Sequence, residues 1–193
     1  SFKEDLKTLP LIACHEAGHA LAAELLEPDS VDLITVLNHD SQAAGVTVIP
    51  IDECYFHSHE MMEHRVMYLL AGKAATEICY GLVDPGVGAD LRRAFAIVQR
   101  FVDNYCSFGF DQFVFANETS DGLLDRRDTR VATELERYYC QVKKLLMANK
   151  DKLDVSAQLL DRGIMSINDV REIWNLPPVE GGDVRIIRGE YYN

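Results

Sequence analysis

His15-Glu16-Ala17-Gly18-His19 is an H-E-x-x-H string. On a helix, residues four apart lie one turn above each other on the same face, so the two imidazoles can share one zinc ion. Glu16 then projects beside that face, within reach of water at the metal but outside the ligand set. The competing reading is a packed helix carrying two satisfied histidines. The small neighbours Ala17, Gly18 and Ala20 would let another element approach closely, and they favour the metal. Catalytic zinc needs a third protein ligand and an open position. The extended three-histidine motif is excluded, since positions 22 and 25 are Ala and Leu. Two carboxylates compete for the role. Glu77 sits on an apolar stripe with Val66, Leu70 and Ala74; Asp90 opens the next helix in line with Ala94, Ile97 and Phe101. A charge on an apolar face needs a partner or a metal, so both qualify and spacing does not choose.

The elements that would position these groups are mostly helical. Thr8 is expected to cap the helix bearing the motif, with Pro10 in its first turn and Pro28 as its stop. Residues 31–37 and 45–49 alternate β-branched side chains around turn material at 38–41, and are expected to pair as strands. The second of them ends at Pro50, which suits an edge that an extended polypeptide could join. A helix is expected from about Ser58 to Tyr80, stopped by Gly81, then a tight loop at 84–88. The next helix opens near Ala89 and runs to about Cys106 on a Leu91, Ala94, Phe95, Val98, Val102 stripe. A long helix follows with Val131, Leu135, Tyr138, Val142 and Leu145 in phase. A shorter helix ends at Gly163, and a last one is capped reciprocally by Ser166 and Asp169. The chain is thus expected to be mainly α with a small β-hairpin or sheet. One domain is expected over 1–174, and a flexible C-terminal tail over 175–193.

Composition narrows the partners. The 193 residues are 48% hydrophobic and 26% charged, which is globular, and no apolar run reaches the length of a membrane span. Thirty-one acidic against nineteen basic residues give a net charge of −12, which disfavours nucleic acid. Five cysteines, odd in number and never in a C-x-x-C pair, fit neither a disulfide framework nor a thiolate zinc knuckle. A reducing compartment, cytoplasmic or equivalent, is expected. His57, His59 and His64 lie among Asp52, Glu53, Glu60 and Glu63, and read as a solvated helix start rather than a second metal site. The chain begins at Ser1 with no initiator Met, as a piece cut from something longer would.

Several separated motifs together resemble the peptidase domain of the FtsH family. They are Cys14 to Ala20, Gly45-Val46-Thr47, Leu70 to Glu77 with Tyr80-Gly81, and Gly86 to Ala94; the similarity ends with Leu159 to Arg162 and Val170 to Ile173. The resemblance implies a helical zincin-like zinc endopeptidase domain with His15, His19 and Asp90 as ligands and Glu16 as the base. It also implies an AAA ATPase module, supplied upstream or in trans, that delivers unfolded polypeptide. A homo-hexamer in the full-length protein, tethered to a membrane by upstream segments, belongs to the same expectation. The chain departs from the family at Ala89, where Asn usually precedes the ligand, and at Cys106-Ser107-Phe108, where a Gly-Met-Ser turn is usual. No G-x-x-x-x-G-K-[ST] string occurs, so any ATP-driven unfolding must come from elsewhere. Two alternatives stand beside this reading: a noncatalytic FtsH-like scaffold or regulatory domain, and a gluzincin-type peptidase using Glu77.

Overall fold

Every residue from Ala13 to Glu24 is buried, so the motif-bearing helix is enclosed on all sides rather than amphipathic. Alanine and glycine make this possible, because a helix covered all round must let its neighbours approach its backbone closely. The computed structural model describes residues 2–31, 33–35, 46–48, 58–82, 85–110, 121–162, 166–178, 180 and 183. Its elements are α1 (Phe2–Leu26), β1 (Leu33–Thr35), β2 (Val46–Val48), α2 (His59–Tyr80), a 3-10 turn (Pro85–Val87), α3 (Gly88–Asp103), α4 (Asp121–Ala148), α5 (Lys150–Arg162) and α6 (Ile167–Ile173).

Helix α1 is the hub. It packs against α2, α5, α4 and the sheet, while α2 also packs against α3 and α4. The two strands are antiparallel, with Leu33 opposite Val48, Ile34 opposite Thr47 and Thr35 opposite Val46. Among the described residues the architecture is therefore mainly α with a small two-stranded sheet, as expected.

Local signals explain both ends of α2 and the start of α6. Ser58 caps α2 by accepting a hydrogen bond from the Met61 N–H at 3.1 Å. Gly81 ends the helix at φ 64°, where its N–H donates to the Glu77 carbonyl at 3.0 Å. Ser166 and Asp169 cap α6 reciprocally, the Asp169 N–H donating to the Ser166 hydroxyl at 3.1 Å and the Ser166 N–H to the Asp169 carboxylate at 2.8 Å.

Two expectations need correction. Thr8 is no cap, because α1 starts at Phe2 and carries Pro10 in its interior. Proline's fixed φ suits a helix, but its missing N–H forfeits one bond of the ladder and its ring crowds the carbonyl one turn back. Helix α3 buries Ala94, Ile97, Val98, Phe101 and Val102, leaving Leu91 and Phe95 exposed, and it ends at Asp103. The face in line with Asp90, not the one through Leu91, meets the core. Just beyond, Cys106 takes φ 49°, the left-handed conformation that the glycine usual in the family would adopt freely.

At the far end of α1 a buried ion-pair cluster ties the last helix down. The Arg171 guanidinium donates to Glu24 at 2.8 Å and to the Pro177 carbonyl at 2.7 Å, and also pairs with Asp29. Glu24 in turn accepts the backbone N–H groups of Asp29 and Val31 at 3.0 and 2.9 Å. All the buried charges are thus paired; removing one partner of such a cluster costs about 3–5 kcal/mol. The tail beyond these contacts, 184–193, lies outside the described residues.

Candidate metal centre

Helix α1 places His15 and His19 one turn apart, and the first turn of α3 places Asp90 opposite them. The two Nε2 atoms face each other at 2.9 Å. Asp90 Oδ2 stands 3.5 Å from the Nε2 of His15 and 3.4 Å from that of His19. Among the described residues these three form the one group able to hold a metal ion, with one potential ligand atom each, all within 4.8 Å of one another. Both imidazoles are under a tenth exposed, and the Asp90 side chain is 19% exposed, so the cluster opens on the carboxylate side.

The orientation of His19 is fixed from behind. Its Nδ1–H donates to the Tyr68 carbonyl of α2 at 2.6 Å, which leaves Nε2 as the nitrogen facing Asp90 and His15. Burial alone would push the Asp90 carboxyl up and the His19 imidazole down. Contact wins: His15 and His19 together hold the Asp90 carboxyl well below the usual carboxylate range, and Asp90, with help from the Glu16 charge, raises His19. Glu16 itself is 5% exposed and within electrostatic reach of the cluster.

Two imidazole nitrogens and one carboxylate oxygen, converging on a point with one side open, are a donor set suited to zinc. A second observation fits. A Cβ at Gly72 would lie 2.5 and 2.7 Å from His15 ring atoms and 2.6 Å from His19 Nε2. Position 72 on α2 is therefore the floor against which both rings rest, and only glycine leaves them room. In the sequence Gly72 falls within the Leu70 to Glu77 string, and a glycine amid alanines in a helix is the signal that marks it. Gly72→Ala is expected to tilt both rings and weaken zinc binding roughly 10–100-fold. Gly81→Ala, strained by its positive φ but meeting nothing within 4 Å, should lower the melting temperature while leaving zinc affinity alone. Equal affinities for wild type and Gly72→Ala in a competitive chelator titration would refute the role.

Glu77 goes elsewhere. It pairs with Lys73 one turn back, accepts Lys143 at 2.9 Å, and is hydrogen-bonded by the Tyr139 hydroxyl, all on the side where α4 packs. Burial works against its charge, but these three donors hold its pKa at about 2. His59 stacks on Phe101 with ring centres 4.7 Å apart and faces Glu63, while His64 pairs with Glu27 at 3.2 Å. They gather no metal group; His57 lies outside the described residues. Ala89, at the position where the family usually has Asn, is exposed.

With this geometry in hand, comparison with known proteins is informative. Residues 4–173 match the model of peptidase family M41. An ATP-dependent zinc metalloprotease FtsH of Pseudomonas putida is 32% identical over 169 residues, covering 78% of this chain and 28% of the relative. The protein of the same name in Alkalihalophilus pseudofirmus is 27% identical over 186 residues, 86% of this chain and 27% of its own length. That of Bacillus subtilis is 29% identical over 168 residues, 78% of this chain and 26% of its own. The chain spans little more than a quarter of the length of these relatives.

Proposed function

The chain belongs to peptidase family M41, and from that premise we propose that it is a zinc endopeptidase domain cutting unfolded polypeptide. The observation that carries this reading is the convergence of His15, His19 and Asp90, with Glu16 buried beside them. When bound there, zinc would supply a Lewis acid that polarises a peptide carbonyl and acidifies water. Glu16 takes the proton of the attacking water and returns it to the leaving amine nitrogen. Tyr68 and Gly72 hold the two imidazoles in register meanwhile, and Asp90 keeps its negative charge toward the site.

The relatives are named ATP-dependent, and substrate would accordingly reach the site from a neighbouring unit. An AAA ATPase module, in the same polypeptide or in trans and arranged as a hexamer, would deliver it. A cytoplasmic or equally reducing setting at a membrane surface suits such a module; in this chain no described helix is long and apolar enough to cross a membrane.

Substrate is taken as an extended strand along β2, whose second side carries no partner strand among the described residues. Main-chain bonding of this kind tolerates many sequences. Val46→Pro and Val48→Pro, whose N–H groups face the same edge of the strand, should therefore act alike and raise KM for long peptides without releasing zinc. Unchanged KM in both variants would remove β2 from the substrate path.

The deciding experiment is cleavage of unfolded casein by the zinc-loaded chain, alone and joined to an ATPase module. Activity that vanishes with a chelator and returns with zinc supports the peptidase. A zinc-loaded chain that leaves casein intact in both forms supports the scaffold reading instead.

A further inference from the structure

Cys14 and Cys79 are distant in sequence, yet the register of α1 against α2 brings them opposite each other. The two helices run antiparallel, as three contacts along their length define. His19 reaches the Tyr68 carbonyl at 2.6 Å, a Cβ on Gly18 would touch that of Ala75, and the Tyr80 hydroxyl donates to the Pro10 carbonyl at 3.5 Å. One turn before Gly18 is Cys14, and one turn after Ala75 is Cys79. The two side chains lie within electrostatic reach of each other, and the Cys79 S–H also reaches Asp154 Oδ1 of α5 at 3.5 Å. The glycine crossing next to them keeps the two backbones close, which is the geometric condition for an S–S bond between helices.

Their environments differ in a useful way. Cys14 is fully buried, whereas Cys79 is half-buried and reachable from solvent.

We propose that Cys14 and Cys79 form an oxidisable dithiol that hydrogen peroxide converts to a disulfide joining α1 to α2, one residue from His15. Cys79 sulfur attacks a peroxide oxygen; an S–O bond forms, the O–O bond breaks and water leaves, giving a sulfenic acid. Cys14 sulfur then attacks the Cys79 sulfur; the S–S bond forms, the S–O bond breaks and a second water leaves. Two thiols lose two electrons and two protons, and one peroxide becomes two waters. A thiol reductant reverses the change, as befits a disulfide in a reducing compartment.

The test uses the intact folded chain treated with dilute hydrogen peroxide, blocked with an alkylating agent and digested without reductant. The expected product is a linked pair of peptides carrying Cys14 and Cys79, lighter by two hydrogens. It should be accompanied by a melting temperature raised on the order of 5 °C that a dithiol reductant restores. Cys79→Ser should abolish both changes, and if that variant does not fold, the wild-type peptide map decides alone. Cys79 oxidised beyond the sulfenic acid with Cys14 still a thiol would overturn the proposal. So would a disulfide to Cys54, Cys106 or Cys140, or no oxidation of Cys79.

Discussion

Glu16→Gln is expected to retain fold and zinc while cleavage of casein falls on the order of 100- to 10,000-fold. Glutamine conserves the shape of a side chain that is 5% exposed, so packing around α1 is undisturbed. What it cannot do is accept a proton from water and pass it to the departing amine. Paired zinc analysis and peptide assays on the two proteins read this out. Undiminished cleavage by the variant would mean that the base is another group, and loss of zinc would mean that Glu16 belongs to the ligand set.

The second large effect separates the two carboxylates. Asp90→Ala should abolish stoichiometric zinc binding, because it takes away one of three converging donors and leaves two imidazoles facing each other at 2.9 Å. Glu77→Ala should keep zinc and lose stability instead, since it orphans Lys73, Tyr139 and Lys143 on the α2–α4 contact. The pH dependence carries a definite sign. A folded-state pKa of about 2, below the ordinary 4.5, stabilises the fold above about pH 4.5, and that contribution is lost as pH falls toward 2. Acid unfolding of Glu77→Ala should accordingly show a shallower limb over that range than wild type. Zinc retained by Asp90→Ala but lost from Glu77→Ala would reverse the assignment.

How much of this was readable in the sequence depends on the range of the interaction concerned. The H-E-x-x-H spacing and the Ser166–Asp169 cap are local, and both took the expected geometry. Asp90 and Glu77 were indistinguishable as intrusions on apolar stripes. The partners that set Glu77 apart come mostly from α4, although Lys73 one turn away was a visible hint. Helix α1 misled because burial on every side erases periodicity, so its start was placed at Thr8 rather than Phe2. On α3, Leu91 and Phe95 look like core and are exposed, since the bundle turned a different face inward. Gly72 was illegible as a site residue, for its role is a missing atom next to rings from another helix.

Donors on α1 and α3 resting against a glycine on α2 make the site a property of three docked helices, not of any segment alone. An unfolded chain would lose the convergence of the three donors, so its hold on zinc would be far weaker. By mass action a zinc ion bound at the proposed site would then act as a thermodynamic weight on the native side. At free zinc a thousandfold above the dissociation constant that weight is about 4 kcal/mol, a large share of what an ordinary domain possesses. On the function proposed above, a chain whose first helix has docked wrongly would neither retain the ion nor hydrolyse a peptide bond. Hydrolytic competence would thus be licensed by correct folding itself, and starvation for zinc would lower the abundance of the domain as well as its turnover.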